Sequence, residues 1–156
     1  MRQSPTFRRA TRDDLPQIVR LLADDPLGAS RESPGEVIPE CYLRAFEAIR
    51  ADPRNELVVA ELDGAVVGTL QLTFIPGLTY RGGERAQIEG VRVCADQRGR
   101  GIGQAMITWA VEQARARGCR LVQLTTDRRR PEAIRFYQKL GFQPSHTGMK
   151  YHLPGP

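Results

Sequence analysis

The chain has 156 residues, enough for one domain with a hydrophobic core; its net charge of +5 comes with only 6% aromatic residues, so no nucleic-acid partner is expected. Met1–Arg9 lacks a charged-then-apolar leader and no apolar run approaches membrane length, so a cytoplasmic protein with no membrane partner is expected. Cys41, Cys94 and Cys119 are scattered and odd in number, which suggests a reduced setting and no zinc site; His146 and His152 sit near the C-terminus, and no serine lies between Ser33 and Ser145, which excludes a central serine nucleophile.

In chain order, Phe7–Ala10 reads as a first strand. Thr11 or Asp13 can cap the helix that follows, with Pro16 in its first turn and Ile18, Val19, Leu21 and Leu22 on its apolar face. Asp25–Pro39 is rich in Pro, Gly, Ser and charge and reads as a loop, and Glu40–Ala51 as a second helix that stops before Pro53. Glu56–Leu62 and Val66–Ile75 are strands joined at Asp63-Gly64, a strong hairpin signal. Pro76–Glu84 is a glycine-rich loop and Arg85–Cys94 the next strand. Gly103–Arg117 is an amphipathic helix closed by Gly118, followed by a buried strand Leu121–Thr126, a helix Pro131–Leu140 and a last strand His146–Leu153.

The segment Arg98-Gly99-Arg100-Gly101-Ile102-Gly103 joins a strand to a helix without a break. Glycines let the backbone approach a ligand closely, and the helix start offers unpaired N–H groups and the positive dipole end, a combination suited to a phosphate. Arg98 and Arg100 add mobile positive charge. The spacing is not the dinucleotide fingerprint, whose third glycine would fall one place later, and no Lys-Ser or Lys-Thr pair follows to make a P-loop. What it does spell is R-x-x-G-x-G, and one helix and one strand later Ala133 to Phe142 spells A-x-x-F-Y-x-K-x-G-F.

With both motifs in this order, the chain resembles the GCN5-related N-acetyltransferase (GNAT) superfamily, from about Phe7 to Leu153. The resemblance implies one N-acetyltransferase domain over residues 1–156. Its fold class would be α/β, with a mixed, mostly antiparallel sheet of six to seven strands flanked by helices. It implies acetyl-coenzyme A as co-substrate, whose roughly four negative charges would suit the basic chain. The pyrophosphate would rest on Arg98, Gly99, Arg100, Gly101, Ile102, Gly103 and Gln104. The pantetheine arm would pair with the backbone of Val91, Arg92 and Val93, on a splayed or bulged strand, with one N–H facing the acetyl oxygen.

Acetyl transfer to an amine needs a polarised carbonyl, a base for the amine and a proton for the departing thiolate. The resemblance gives the last role to Tyr137; the alternative is a core aromatic beside Phe136. Glu89 is the candidate base, two residues before Val91 on the same strand, so its side chain is expected to share a face with Val91 and Val93; the alternative is a surface or salt-bridged carboxylate. Glu84 and Asp127 are rivals. Many members carry Asn where this chain has Arg130, within the basic run Arg128-Arg129-Arg130.

The acceptor is expected to meet Asp25–Pro39 and Pro76–Glu84, with Arg31, Glu32, Tyr80 and Arg81 as contacts. Their mixed sign favours a small primary amine bearing a carboxylate over a polyamine. A protein or peptide amine, or an acyl-coenzyme A-binding regulator without turnover, are the alternatives. Homodimers are common among such folds. No metal is required.

Overall fold

A computed structural model describes residues 4–155, so the start of the Met1–Arg9 stretch lies outside the described residues. The chain divides into two compact units between Gln123 and Leu124. In the first, the order is β1 (Thr6–Arg9), a 3-10 turn (Arg12–Asp14), α1 (Leu15–Ala23), α2 (Pro26–Ala29), α3 (Glu40–Ala51), β2 (Asn55–Leu62) and β3 (Ala65–Ile75). A short turn α4 (Thr79–Gly82), β4 (Arg85–Val93), a 3-10 turn (Ala95–Gln97), α5 (Ile102–Ala116) and β5 (Leu121–Leu124), all but its last residue, follow. The second unit contains α6 (Pro131–Lys139).

The elements follow from local chemistry. Asp63 and Gly64 both take left-handed conformations, φ 52° and 77°, the pair that a two-residue hairpin turn demands, and so β2 and β3 zip together antiparallel. Asp25 accepts a hydrogen bond from the Gly28 N–H at 2.6 Å and Pro26 follows it, which makes a short helix within the expected loop.

The sheet order is β1-β2-β3-β4-β5, with β1 to β4 antiparallel to their neighbours. The Arg120 N–H donates to the Glu84 carbonyl and Gln123 bonds Gln87, so β5 advances in step with β4 and lies parallel to it. The sheet is therefore mixed and mostly antiparallel, as expected, with five strands among the described residues instead of six or seven. Residues 146–153 join no ladder among the described residues. Their alternation places Met149, Tyr151 and Leu153 on one side, and all three are exposed; an alternating pattern makes a strand only where a neighbour's backbone is available. β5 is half-buried, not buried as expected, because it is an edge strand.

Both sheet faces are covered in the first unit. α5 packs on the side of Gly68, Leu70, Leu72 and Phe74; a side chain at Gly68 would meet the Met106 sulfur at 2.8 Å, and Phe7 stacks on Trp109 at 5.5 Å. α1 lies on the opposite side, where Leu22 would be 3.7 Å from a Cβ at Gly90. Between them Leu70, Leu72, Ile88, Met106 and Ile107 are fully buried. No helix among the described residues is long and apolar enough to cross a membrane.

Asp14 fastens α1 to β1. It takes two bonds from the Arg8 guanidinium, at 2.7 and 3.0 Å, and one from the Thr11 N–H at 2.7 Å. The pairing with Arg8 holds its carboxyl below the usual carboxylate range, against the opposing pull of burial. A depressed folded-state pKa contributes stability that is complete above the unfolded value, near pH 4, and lost as pH falls through the folded value. Asp14→Asn is expected to cost about 1–2 kcal/mol in urea unfolding at neutral pH, converging with the wild type at the acid end.

Candidate active site

β4 is bent by its own sequence. It pairs Ile88 with Leu72 and Glu89 with Gln71, then resumes with Arg92 opposite Thr69 and Val93 opposite Gly68. Gly90 and Val91 thus stand against Leu70 alone, a β-bulge, and Gly90 takes the left-handed φ of 61° that such a bulge requires. The bulge removes a backbone position from the ladder at the residues expected to meet the acetyl group. Because β5 keeps step with the first half of β4 and then ends, Glu89–Val93 runs on past it.

Beyond the bulge the chain makes its 3-10 turn and enters α5 through Gly99 and Gly101, at φ 73° and 85°, with open space where a Cβ would be. Gly101 is the residue before the helix and supplies no side-chain cap, so the N–H groups of the first turn are not claimed by it. A fifteen-residue helix begins there, pointing its positive end at the loop.

The arginines divide by what they touch. Arg92 pairs with Asp25 at 3.1 Å, with both side chains largely buried, and donates to the Val91 carbonyl at 2.8 Å, tying the bulge to the start of α2. Sequence reasoning missed Asp25, although an Asp before Pro-Leu-Gly carries the signal of a helix cap. Arg98, expected to be mobile, is tethered: it donates to the carbonyls of Val93 and Asp24 and lies 3.6 Å from the Asp24 carboxylate. It braces the loop. Arg100 stays exposed and, among the described residues, reaches only Gln97.

Glu89 lies on the opposite face from Val91 and Val93, a correction to regular alternation. The extra residue shifts the parity, so Glu89 shares its side with Gln87 and Arg92, opposite Gln71, on the α1 side of the sheet. It is exposed, and its Oε1 accepts from Gln87 Nε2 at 2.9 Å; Gln87 Oε1 in turn accepts from Gln123 Nε2 at 2.8 Å. A carboxylate can only accept, so Glu89 dictates the orientation of both amides.

The rival carboxylates are engaged. Glu84 is gripped by Arg117, which draws its pKa below the ordinary value against a smaller desolvation effect. Asp127, in the second unit, is bonded by the Arg129 guanidinium and N–H, which hold it far down in the acid range.

Of the expected acceptor contacts, Arg31 and Glu32 pair with each other at 2.9 Å, and Glu32 also takes the Tyr42 hydroxyl at 2.7 Å. Tyr80 and Arg81 have left-handed backbones, φ 53° and 59°, and with Arg120 line a cavity of about 470 Å³ at the foot of β4. Such angles in non-glycine residues are costly and cluster at functional loops.

In the second unit, Pro131 occupies the first turn of α6 and Tyr137 sits in its last. Its ring makes edge contacts with Phe136 at 5.1 Å and Phe142 at 5.8 Å, while its carbonyl accepts the Leu140 and Phe142 N–H groups that close the helix. The motif is thus a compact aromatic cluster at a helix C-terminus.

The model of the Acetyltransferase (GNAT) family matches residues 16–142. The chain belongs to this family. It is 29% identical to the aminoalkylphosphonate N-acetyltransferase of Salmonella typhimurium, over 90% of this chain and 86% of that protein. It is 32% identical to glucosamine 6-phosphate N-acetyltransferase 1 of Oryza sativa subsp. japonica, over 75% of this chain and 72% of the other. A solved structure from Bacillus halodurans C-125, described as a transcriptional regulator, is 52% identical with a TM-score of 0.93, covering 96% of this chain and 99% of that one. The GNAT chain is an acyltransferase, and acetyl-coenzyme A is the family's co-substrate.

Gly90→Val is expected to lose about 1–2 kcal/mol of stability, since a β-branched residue does not tolerate its φ. Gly90→Asn should retain more, because Asn visits the left-handed region; equal loss in denaturant titration would place the cost elsewhere.

Proposed function

We propose that this GNAT enzyme moves the acetyl group of acetyl-coenzyme A to the primary amine of a small molecule by direct attack, with no covalent enzyme intermediate. The observation that carries the reading is the Gly90–Val91 bulge leading into the Gly99–Gly101 turn and the start of α5. The backbone of Val91, Arg92 and Val93 would pair with the pantetheine arm as an added strand. Residues Arg98 to Gln104 would receive the pyrophosphate, with Arg98 acting through the loop it braces and Arg100 through its charge.

The amine nitrogen forms a bond to the acyl carbon, whose oxygen takes the developing charge opposite a backbone N–H at Val91. Glu89, held by Gln87, accepts the amine proton, directly or through water. The carbon–sulfur bond then breaks, and Tyr137, assigned by its motif, donates a proton to the thiolate. Exposure of Glu89 on the α1 side supports delivery of the amine from that side. The acceptors named for the Salmonella and rice relatives, an aminoalkylphosphonate and glucosamine 6-phosphate, are small amines and support that acceptor class. The free cysteines fit a cytoplasmic setting.

The description of the Bacillus halodurans relative favours a second reading, in which the acceptor is a protein amine and acetylation serves regulation. Thiol release against a panel of small amines, set beside acetylation of a peptide library, separates the two. The proposal expects turnover of small amines, and turnover of peptides alone would replace it with the second reading. Tyr137→Phe removes the phenol proton and keeps the ring, and is expected to lower kcat about 100-fold with little change in acetyl-coenzyme A affinity. Glu89→Gln should do likewise, with the loss relieved at high pH as more of the amine is already neutral.

A further inference from the structure

Arg85 begins the row on β4 that Glu89 ends. Both lie on the α1 side of the sheet with Gln87 between them, opposite Ile75, Thr73 and Gln71 of β3. The Cα atoms of Arg85 and Glu89 are about 13 Å apart at the rise of an extended strand. Gln87 bonds toward Glu89 and Gln123 reaches across from β5, so the row runs from a cation, over two amides, to an anion.

Arg85, like Arg81 and Arg120, has no counter-charge among the described residues, but of these three only Arg85 has a buried Nε with no partner. Arg92 is paired with Asp25, Arg117 with Glu84 and Arg98 with Asp24. Arg85 is only partly exposed, and its Nε is buried without a hydrogen-bond acceptor. A buried donor with no partner costs free energy, and a half-buried guanidinium with no carboxylate costs more, so Arg85 calls for an explanation, which a bound anionic group supplies. Glu84, the nearest acid in sequence, is already held by Arg117.

We infer that Arg85 is the specificity residue of the acceptor site, and that the acceptor is a small amine carrying an acidic group, which Arg85 holds while the amine is presented to Glu89. This rests on the acetyltransferase reading above and names its substrate class. The guanidinium fork suits a carboxylate or a phosphonate, and the intervening amides suit an uncharged spacer with polar groups. Charges of opposite sign at the two ends of the row also fix the direction in which an amino acid or aminophosphonate lies. A diamine would bring a cation to Arg85 and is rejected.

The test measures thiol release by the full-length enzyme with β-alanine, longer ω-amino acids and aminoethylphosphonate, each beside a neutral counterpart such as β-alanine amide. Acid-bearing amines are expected to exceed their neutral counterparts in kcat/KM by on the order of 10- to 100-fold. Arg85→Met should abolish that ratio by raising KM for the acids alone, leaving kcat, the neutral amines and the KM for acetyl-coenzyme A unchanged. Arg85→Lys should restore part of it, more for the phosphonate than for the carboxylate if the fork matters for the latter. Melting curves with acetyl-coenzyme A check that each variant is folded and binds its co-substrate. A ratio near one in the wild type, or one that survives in Arg85→Met, overturns the assignment while leaving acetyl transfer intact. Coenzyme binding with no thiol release from any amine overturns both.

Discussion

The bulge in β4 is the constraint on which the rest of the site depends. One left-handed glycine, Gly90, inserts a residue into an otherwise regular ladder. That insertion bends the strand, takes backbone out of pairing at Val91 and reverses the face on which every earlier residue of β4 points relative to the later ones. Glu89 and Val91 are two residues apart and yet lie on opposite sides of the sheet. In the proposed acetyl transfer this would separate two tasks within a few residues of chain: the backbone after the bulge would engage the thioester, and the side chain before it would meet the amine.

The bulge is held from outside the strand. Arg92 reaches back to the Val91 carbonyl and across to Asp25, which also caps α2 through Gly28. Arg98 links the Val93 carbonyl to Asp24 at the end of α1. Two adjacent aspartates between α1 and α2 thus anchor both ends of the segment that would carry the coenzyme. Arg98 belongs to the phosphate motif but spends its hydrogen bonds on the protein, so in the proposed function the helix start and the glycine backbone would be the main anion-binding elements.

Much of this was legible in the sequence. Helix and strand patterns placed most elements within a residue or two, and the glycine and F-Y-x-K motifs pointed to the family before any fold was visible. The face of Glu89 was not legible by alternation, because one inserted residue leaves no mark on hydrophobic periodicity; the isolated glycine at position 90 was the available signal. That Arg31 and Glu32 pair with each other was not legible, because charge in a loop says nothing about its partner. Arg85 carried no signal for the same reason in reverse: only the structure shows that its Nε is buried with no acceptor and no carboxylate beside it. The C-terminal alternation was read correctly as a pattern and wrongly as a strand, since pairing depends on a neighbour that no local sequence specifies.

The claim at the centre is that the bulge, turn and helix start form a coenzyme A cradle, and thermal unfolding with acetyl-coenzyme A, coenzyme A or NAD tests it most directly. Ligand that binds only the native state at a hundred times its Kd stabilises by about 2.7 kcal/mol, which for a chain of this size raises Tm by about 5–10 °C. The account predicts that rise with both coenzyme A ligands and none with NAD. No shift with either coenzyme A ligand at millimolar concentration, or an equal shift with NAD, would contradict it.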